Sequence, residues 1–248
     1  FYKSPSGYSL SEMGYSLLKY AEKIESEIFN INDNFMRSNP NISGKVKVSV
    51  GEGLGVEIFT KYLKIFFSQF PDIEIELLAD SRLRSLANRE TDILISLSRP
   101  KKGRLISWKL CDYYVKLYAS KFYLKSFNDI NDLKDLREHK FISYVDELIE
   151  FPELNYFDEI NDSFNVVFRS NSLRSQYLAI KNGLGLGLIH SFIASKDESL
   201  QEILPKLINI KREYWITIHE NSYQFKRIKV VTKFLGEIMK KEKISFSE

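Results

Sequence analysis

Cysteine is nearly absent: Cys111 is the one thiol in 248 residues. A single thiol excludes an intramolecular disulfide framework and fits a reducing, cytoplasmic compartment. With only Lys109 as a nearby cation, Cys111 reads as a small buried hydrophobe rather than a redox switch. Histidine is scarce too. His139, His190 and His219 lie far apart, and none pairs with a second histidine or cysteine at metal-ligand spacing. No Gly-x-Ser-x-Gly elbow and no phosphate-binding loop ending in Lys-Ser/Thr occurs, so neither a catalytic set nor a cofactor is expected. Long apolar runs are missing. Stretches such as Leu184–Ile189 fall far short of the roughly 20 residues needed to span a bilayer, and Phe1–Leu10 has no apolar core behind a basic start, as a secretory signal would. Nor does one sign of charge dominate: 36 basic and 33 acidic residues leave a net charge of +3, too weak a balance to argue for nucleic acid by itself.

What the sequence does contain is periodicity. The composition is that of a globular chain, 44% hydrophobic and 28% charged, long enough for one large domain or two to three small ones. Phe1–Leu10 is punctuated by Ser4-Pro5-Ser6-Gly7, a turn between two short extended pieces. From there Leu10, Gly14, Leu17, Ala21, Ile24, Ile28, Ile31 and Phe35 step by four and three alternately. That seam repeats every 3.5 residues, the coiled-coil period. It predicts a helix over 11–38, capped by Ser9 or Ser11 and broken at Asn39-Pro40-Asn41. An amphipathic helix lying on its own domain is the alternative.

After Gly44 strands alternate with helices. Lys45–Val50 reads as a strand, Gly51-Glu52-Gly53-Leu54-Gly55 as a glycine-rich turn, Val56–Gln69 as a helix and Ile73–Leu77 as a strand. A short helix around Leu83–Asn88 and the strand Asp92–Leu97 follow. Trp108–Leu110 and Tyr113–Ala119 read as two extended segments, Asn131–Leu136 as a short helix and Lys140–Tyr144 as a strand. Glu147–Asp162 is acidic and reads as loop. Phe164–Arg169 is a strand, Ser172–Asn182 a helix capped by Ser170 or Asn171, and Gly183–His190 a glycine-spaced strand. Tyr214–His219 and the helix Ile228–Met239 close the chain. The basic residues of Phe225–Lys243 read as a solvated helix face. This alternation implies parallel sheet in two βα halves.

In this order the motifs resemble those of LysR-type transcriptional regulators. Phe1-Tyr2-Lys3, Gly7-Tyr8-Ser9-Leu10-Ser11-Glu12-Met13-Gly14 and Leu17-Leu18-Lys19-Tyr20-Ala21 are similar to that family's wing and linker-helix start, with Lys3 in place of the usual Arg and Ser11 in place of the usual Thr. Gly44-Lys45-Val46-Lys47-Val48, Phe70-Pro71-Asp72-Ile73-Glu74-Ile75-Glu76-Leu77 and Arg89-Glu90-Thr91-Asp92-Ile93 resemble first-lobe landmarks of its effector domain. Ala179-Ile180-Lys181-Asn182-Gly183-Leu184-Gly185 resembles the second-lobe landmark, and Trp215–His219 followed by Arg227-Ile228-Lys229 the return to the first lobe.

The resemblance implies an α/β fold of two Rossmann-like lobes joined by two crossover strands, like type 2 periplasmic binding proteins, behind a long linker helix. The expected domains are a wing remnant (1–10), a dimerisation helix (11–38), lobe I (45–118 with 219–243) and lobe II (119–218), with hinge strands near Leu117–Ser120 and Ile216–Glu220. It further implies a helix-turn-helix upstream of Phe1, Lys3 as a DNA phosphate or groove contact, a small-molecule effector and a homodimer or homotetramer paired through Leu17, Ala21, Ile24, Ile28 and Ile31. No membrane partner is expected. A transporter's solute-binding protein of the same two-lobed fold is the alternative; it predicts a signal peptide and no coiled coil.

Several residues are candidates for the effector site. Glu52, Gly53 and Leu54 sit in the glycine-rich turn before a helix; the carboxylate of Glu52 opposes an anionic effector and favours a neutral or cationic one, or else simply neutralises the helix end. Ser81, Arg82 and Ser96 follow strand ends, where open α/β sheets bind ligands, and Arg82 suits a carboxylate. Ser170 and Asn171 precede the second-lobe helix. His190, at a strand end, is read as a hydrogen-bonding partner of the effector or a pH sensor. The plainer readings are a tight turn, a solvated arginine, helix capping and a partly exposed loop histidine.

Overall fold

The computed structural model describes residues 1–4, 7–35, 42–80, 86, 90–100, 103–127, 129–160 and 164–242. The chain forms two compact units, Phe1–Ile42 and Ser43–Glu248.

The first unit is a hairpin followed by a helix. Strands β1 (Tyr2–Ser4) and β2 (Gly7–Ser9) pair antiparallel, with Lys3 opposite Tyr8. Helix α1 (Glu12–Phe35) has 24 residues, about 36 Å of helix. Of the two expected caps Ser11 is used: its Oγ accepts from the Gly14 amide at 3.1 Å. Leu17, Ala21 and Ile24 are exposed along α1 in the single chain. The side chains of Ile28 and Ile31 lie outside the described residues.

The second unit opens with β3 (Gly44–Val50), whose Val46, Val48 and Val50 are buried while Lys45 and Lys47 point out. A helical run follows without a break: α2 (Glu52–Leu54), a π-wound stretch over Gly55–Phe59, and α3 (Thr60–Gln69). The helix thus starts at Glu52, four residues before the expected Val56, and only Gly51 is left as the turn. Strand β4 (Ile73–Ala79) pairs parallel with β3, and Lys45 reaches Glu76 at 2.7 Å and Glu74 at 3.3 Å across the pair. The helix expected around Leu83–Asn88 lies outside the described residues, Leu86 excepted. Strand β5 (Ile93–Ser96) pairs parallel with the other side of β3.

Next comes β6 (Leu105–Ser120), one strand of 16 residues where two segments were expected. It leads to α4 (Lys121–Leu124), capped by Ser120, and then to β7 (Lys140–Ser143). The acidic stretch read as loop carries three single 3-10 turns, Asp146–Leu148, Pro152–Leu154 and Tyr156–Glu159. Then come β8 (Asn165–Arg169), α5 (Leu173–Lys181), β9 (Leu186–His190), α6 (Ser191–Ala194), β10 (Leu200–Ile203), β11 (Ile210–His219), α7 (Glu220–Tyr223) and α8 (Lys226–Lys241). Gly185 allows β9 to lie against β7: a β-carbon there would collide with the carbonyl oxygen of Lys140.

The strand order is β4-β3-β5-β11-β6-β9-β7-β8, with β10 on β6. Each end is parallel: β3 with β4 and β5, and β7 with β8 and β9. The middle is antiparallel, because β11 runs against both β5 and β6, and β6 against β9. The long strands β6 and β11 therefore join two α/β lobes. The register between them shifts at Tyr214/Trp215. On the first-lobe side of the shift Trp215–Ile218 pairs with Ile93–Ser96; on the other side Val115–Tyr118 pairs with Gly187–His190 of the second lobe. The handover thus falls around Lys109–Val115 and Tyr214/Trp215. The expected hinge segments Leu117–Ser120 and Ile216–Glu220 already lie inside the second and first lobes, since their partner strands belong to those parallel ends.

Apolar burial fixes each lobe. In the first, Phe66 of α3 meets Phe234 of α8 with ring centroids 5.0 Å apart, over the buried face of β3 and β5. In the second, Ile180 of α5 packs on Gly187 of β9, where a β-carbon would stand 2.5 Å from its Cδ1, and Phe141 of β7 meets Phe157 and Phe164 with ring centroids 5.8 and 4.4 Å apart.

Candidate binding cleft

The carboxyl ends of the parallel strands of both lobes converge on one cavity of about 210 Å3. That is somewhat larger than the ~150 Å3 void that accommodates a benzene molecule. From the first lobe, β3 and the start of α2 supply Ser49, Gly51, Glu52 and Gly53. The end of β4 supplies Asp80, and β5 supplies Ser96. From the second lobe come Tyr144 after β7, Asn171 and Ser172 before α5, and His190 at the end of β9. Tyr214 enters from the crossover strand β11.

Glu52 crosses this cleft. Its Oε1 accepts from Ser172 Oγ at 2.9 Å and its Oε2 from the Leu173 amide at 2.5 Å. Leu173 opens α5, where unsatisfied backbone N–H groups and the helix dipole favour a negative charge. The capping expectation is corrected here. Ser172 caps α5, its Oγ accepting from the Ser175 amide at 3.1 Å. Ser170 Oγ instead accepts from the Ser172 amide at 3.1 Å. Beside this contact Arg174 Nη1 reaches Glu57 Oε1 at 3.1 Å, a second first-lobe carboxylate held by the second lobe.

His190 is 4% exposed and lies at a strand end, not in an exposed loop. Its Nε2 is 3.4 Å from Tyr156 Oη, and its Nδ1 has no hydrogen-bond partner among the described residues. Burial alone pulls its pKa down to about 3, so the ring is neutral at physiological pH and the pH-sensor reading does not hold. Around it, the rings of Tyr113 and Tyr214 stack with centroids 4.3 Å apart. Burial holds the hydroxyls of Tyr113, Tyr144, Tyr156 and Tyr214 protonated by pushing each pKa upward. The cavity wall is therefore made of neutral hydrogen-bonding groups and aromatic faces, with the carboxylates of Glu52 and Asp80 as its charged groups among the described residues.

Of the residues singled out in the sequence, Glu52, Gly53, Ser96, Asn171 and His190 come together here. Leu54 is buried behind the cavity and Ser170 supports the cap, and neither lines it. Ser81 and Arg82 lie outside the described residues. Lys3 is exposed on β1. Sequence reasoning missed Ser49, Asp80, Tyr144, Ser172 and Tyr214. Tyr144 was within reach of the strand-end rule, since it directly follows β7. Cys111 is half-buried with its pKa pushed up to about 12 by burial, an inert thiol. Among the described residues no group of three or more potential metal ligands gathers, and no helix is long and apolar enough to cross a membrane.

The sequence profile described as the LysR substrate binding domain matches residues 40–240. The chain belongs to this family. Curated relatives of this LysR-family chain include the HTH-type transcriptional regulator PtxR of Pseudomonas aeruginosa, 21% identical over 76% of the chain, and the HTH-type transcriptional regulator YkuM of Bacillus subtilis, 21% identical over 98% of the chain and 83% of the relative. The chain's match spans 61% of the length of PtxR. Among solved structures, the regulatory domain of CrgA from Neisseria meningitidis superposes with a TM-score of 0.70 at 18% identity, over 79% of this chain and 98% of that one. Full-length AphB of Vibrio cholerae gives 0.66 at 18% identity, over 94% and 82%. At these identities the likeness shows the fold: two lobes of the type 2 periplasmic-binding-protein kind.

Proposed function

We propose that the chain is the linker and effector-sensing portion of a ligand-responsive LysR-type transcriptional regulator. The parent protein works in the cytoplasm and binds DNA through a helix-turn-helix region, with Lys3 as an auxiliary backbone contact. The observation that carries this reading is the cavity between the strand ends of two lobes joined by β6 and β11. A small molecule seated there touches both lobes, so its binding free energy depends on their separation. It shifts the population toward the arrangement it binds better.

Transmission runs through assembly. Leu17, Ala21 and Ile24 present an apolar stripe at coiled-coil spacing, exposed in the single chain, and Ile28 and Ile31 extend the same period. Two copies bury it, giving a homodimer, or a homotetramer made of two such dimers. Closure of the lobes changes how subunits pack, and the paired linkers pass that change to the DNA-reading heads. The transporter alternative finds no support: the named relatives are transcriptional regulators.

The test is a thermal-shift screen of small metabolites on the purified chain, since a ligand that binds only the folded form raises its melting temperature. The expected hits lose their effect in Asn171→Trp, where a bulky ring at the exposed rim fills the cleft. Hits that ignore this substitution, or a screen without hits, overturn the reading.

A further inference from the structure

We propose that Glu52 is a built-in occupant of the anion site at the N-terminus of α5, so that the cleft takes an uncharged or amine-bearing effector and rejects carboxylates. The inference rests on the reading of the cleft as an effector site and adds its charge selectivity.

Three observations carry it. First, the donors a ligand carboxylate would seek are already used: the Ser172 hydroxyl and the Leu173 amide both donate to Glu52, at 2.9 and 2.5 Å. Helix N-termini are ready-made anion sites, and here the chain supplies its own anion from the opposite lobe. Second, the carboxylate of Glu52 is itself part of the cavity wall. A ligand carboxylate would give up its hydration to sit beside that like charge, which disfavours its ionised form. Third, the remaining polar groups of the wall are neutral. His190 lines the cavity as an uncharged ring whose Nδ1 is closed off against Gly53, where a β-carbon would stand 2.7 Å away. A ligand N–H, hydroxyl or carbonyl therefore meets neutral groups beside Glu52. The hydroxyls of Tyr144 and Tyr214 suit the same neutral groups.

The proposal makes a specific claim about one residue. Removing the carboxylate should vacate the α5 terminus and turn the cleft toward anions. The experiment titrates the full chain with benzamide, benzylamine and benzoate, probes of similar size that differ in charge, and follows the backbone amide resonances of Gly53 and Leu173. Each titration is repeated on Glu52→Ala and Glu52→Gln. The unaltered chain is expected to bind benzamide or benzylamine at least about tenfold more tightly than benzoate, the ratio equivalent to about 1.4 kcal/mol. Glu52→Ala is expected to gain at least about tenfold in benzoate affinity. Glu52→Gln keeps an oxygen on the Leu173 amide and is expected to gain clearly less, which separates occupancy of the site from charge alone.

If the unaltered chain binds benzoate as well as benzamide, the charge selectivity is wrong while the cleft remains a ligand site. Equal gains in Glu52→Ala and Glu52→Gln, or no gain in Glu52→Ala, overturn the built-in occupant. If no probe moves either resonance in any of the three chains, the cleft is not a small-molecule site, and the effector reading falls together with its selectivity.

Discussion

Gly53 of the first lobe lies so close to His190 of the second that a β-carbon built on the glycine would stand 2.7 Å from the imidazole Nδ1, and 2.7 Å from Leu173 Cδ2 as well. The imidazole has little room to yield, because the rings of Tyr113 and Phe192 pack against it with centroids at 4.8 and 5.2 Å. Gly53→Ala is therefore expected to cost about 1–3 kcal/mol through overpacking and to weaken ligand binding by prising the lobes apart. Gly236→Ala is the control. A β-carbon there meets nothing within 4 Å, and Gly236 sits inside α8. It should stabilise by about 0.5–1 kcal/mol. Urea denaturation of both variants checks the contrast, and equal behaviour would show that the lobes do not meet at Gly53.

His190 gives stability an acid limb. Its folded pKa of about 3 lies below the ordinary imidazole value of 6.5, so the unfolded chain binds the extra proton first. The contribution is fully present above about pH 6.5 and is lost as pH falls toward 3. The loss at pH 5 relative to pH 7 is about 2 kcal/mol. His139, its pKa also lowered by burial, adds a slope of the same sign. His190→Gln should flatten the larger part of the decline between pH 7 and 5 in a series of melting curves. An unchanged slope would mean that the imidazole can reach water when protonated.

Glu242 ties three groups together. It accepts from Lys61 and from the buried Tyr62 hydroxyl at 2.6 Å each, and from Lys196 of the second lobe at 3.2 Å. Both lysines are about half exposed, so the ion pairs alone are worth little; the tyrosine contact carries more. Glu242→Ala should cost about 1–2 kcal/mol, and Glu242→Gln, which keeps an acceptor for Tyr62, clearly less. Guanidinium melts give the comparison, and equal losses would assign the effect to charge rather than to the hydroxyl.

Much of the fold was legible because periodicity reports burial. The alternation of Lys45–Val50 and the glycine spacing of Gly183–His190 each marked a strand, and the 3.5-residue seam marked α1. The misses have physical causes. The pair Cys111-Asp112 split β6 in the reading, yet Asp112 stays in the strand between Lys109 at 2.6 Å and Lys211 at 3.2 Å. Strand β10 has four residues and pairs with β6, some eighty positions earlier, which no local pattern announces. Ser170, Asn171 and Ser172 are all capping residue types, and only the three-dimensional path chooses Ser172. In the cleft, strand-end logic found Ser96 and His190 and helix-cap logic found Asn171, but Tyr144 and Tyr214 were read only as members of strands. Nothing in a one-dimensional pattern shows that Glu52 reaches Leu173, 121 residues away.

The linker helix offers the most direct test of assembly. In the single chain the residues Leu17 and Ile24 are 66% and 62% exposed, an unfavourable disposition for two large aliphatic groups seven residues apart on a helix of 24 residues. At coiled-coil spacing both belong to one seam, where each becomes a knob packed between four residues of a facing helix. Burying such a side chain contributes about 1.5–3 kcal/mol, and it occurs on both helices of a symmetric pair. A carboxylate at either position would instead face its own symmetry mate, adding repulsion to lost burial. Leu17→Glu with Ile24→Glu is therefore expected to convert the assembled protein to a monomer at micromolar concentration in sedimentation equilibrium. The lobes should stay folded, and the melting temperature should still respond to a ligand. Leu17→Met with Ile24→Leu, which keeps the apolar volume, should leave the assembly intact. A glutamate variant that sediments like the unaltered chain would show that the copies associate through another surface, and that α1 does not carry the signal between them.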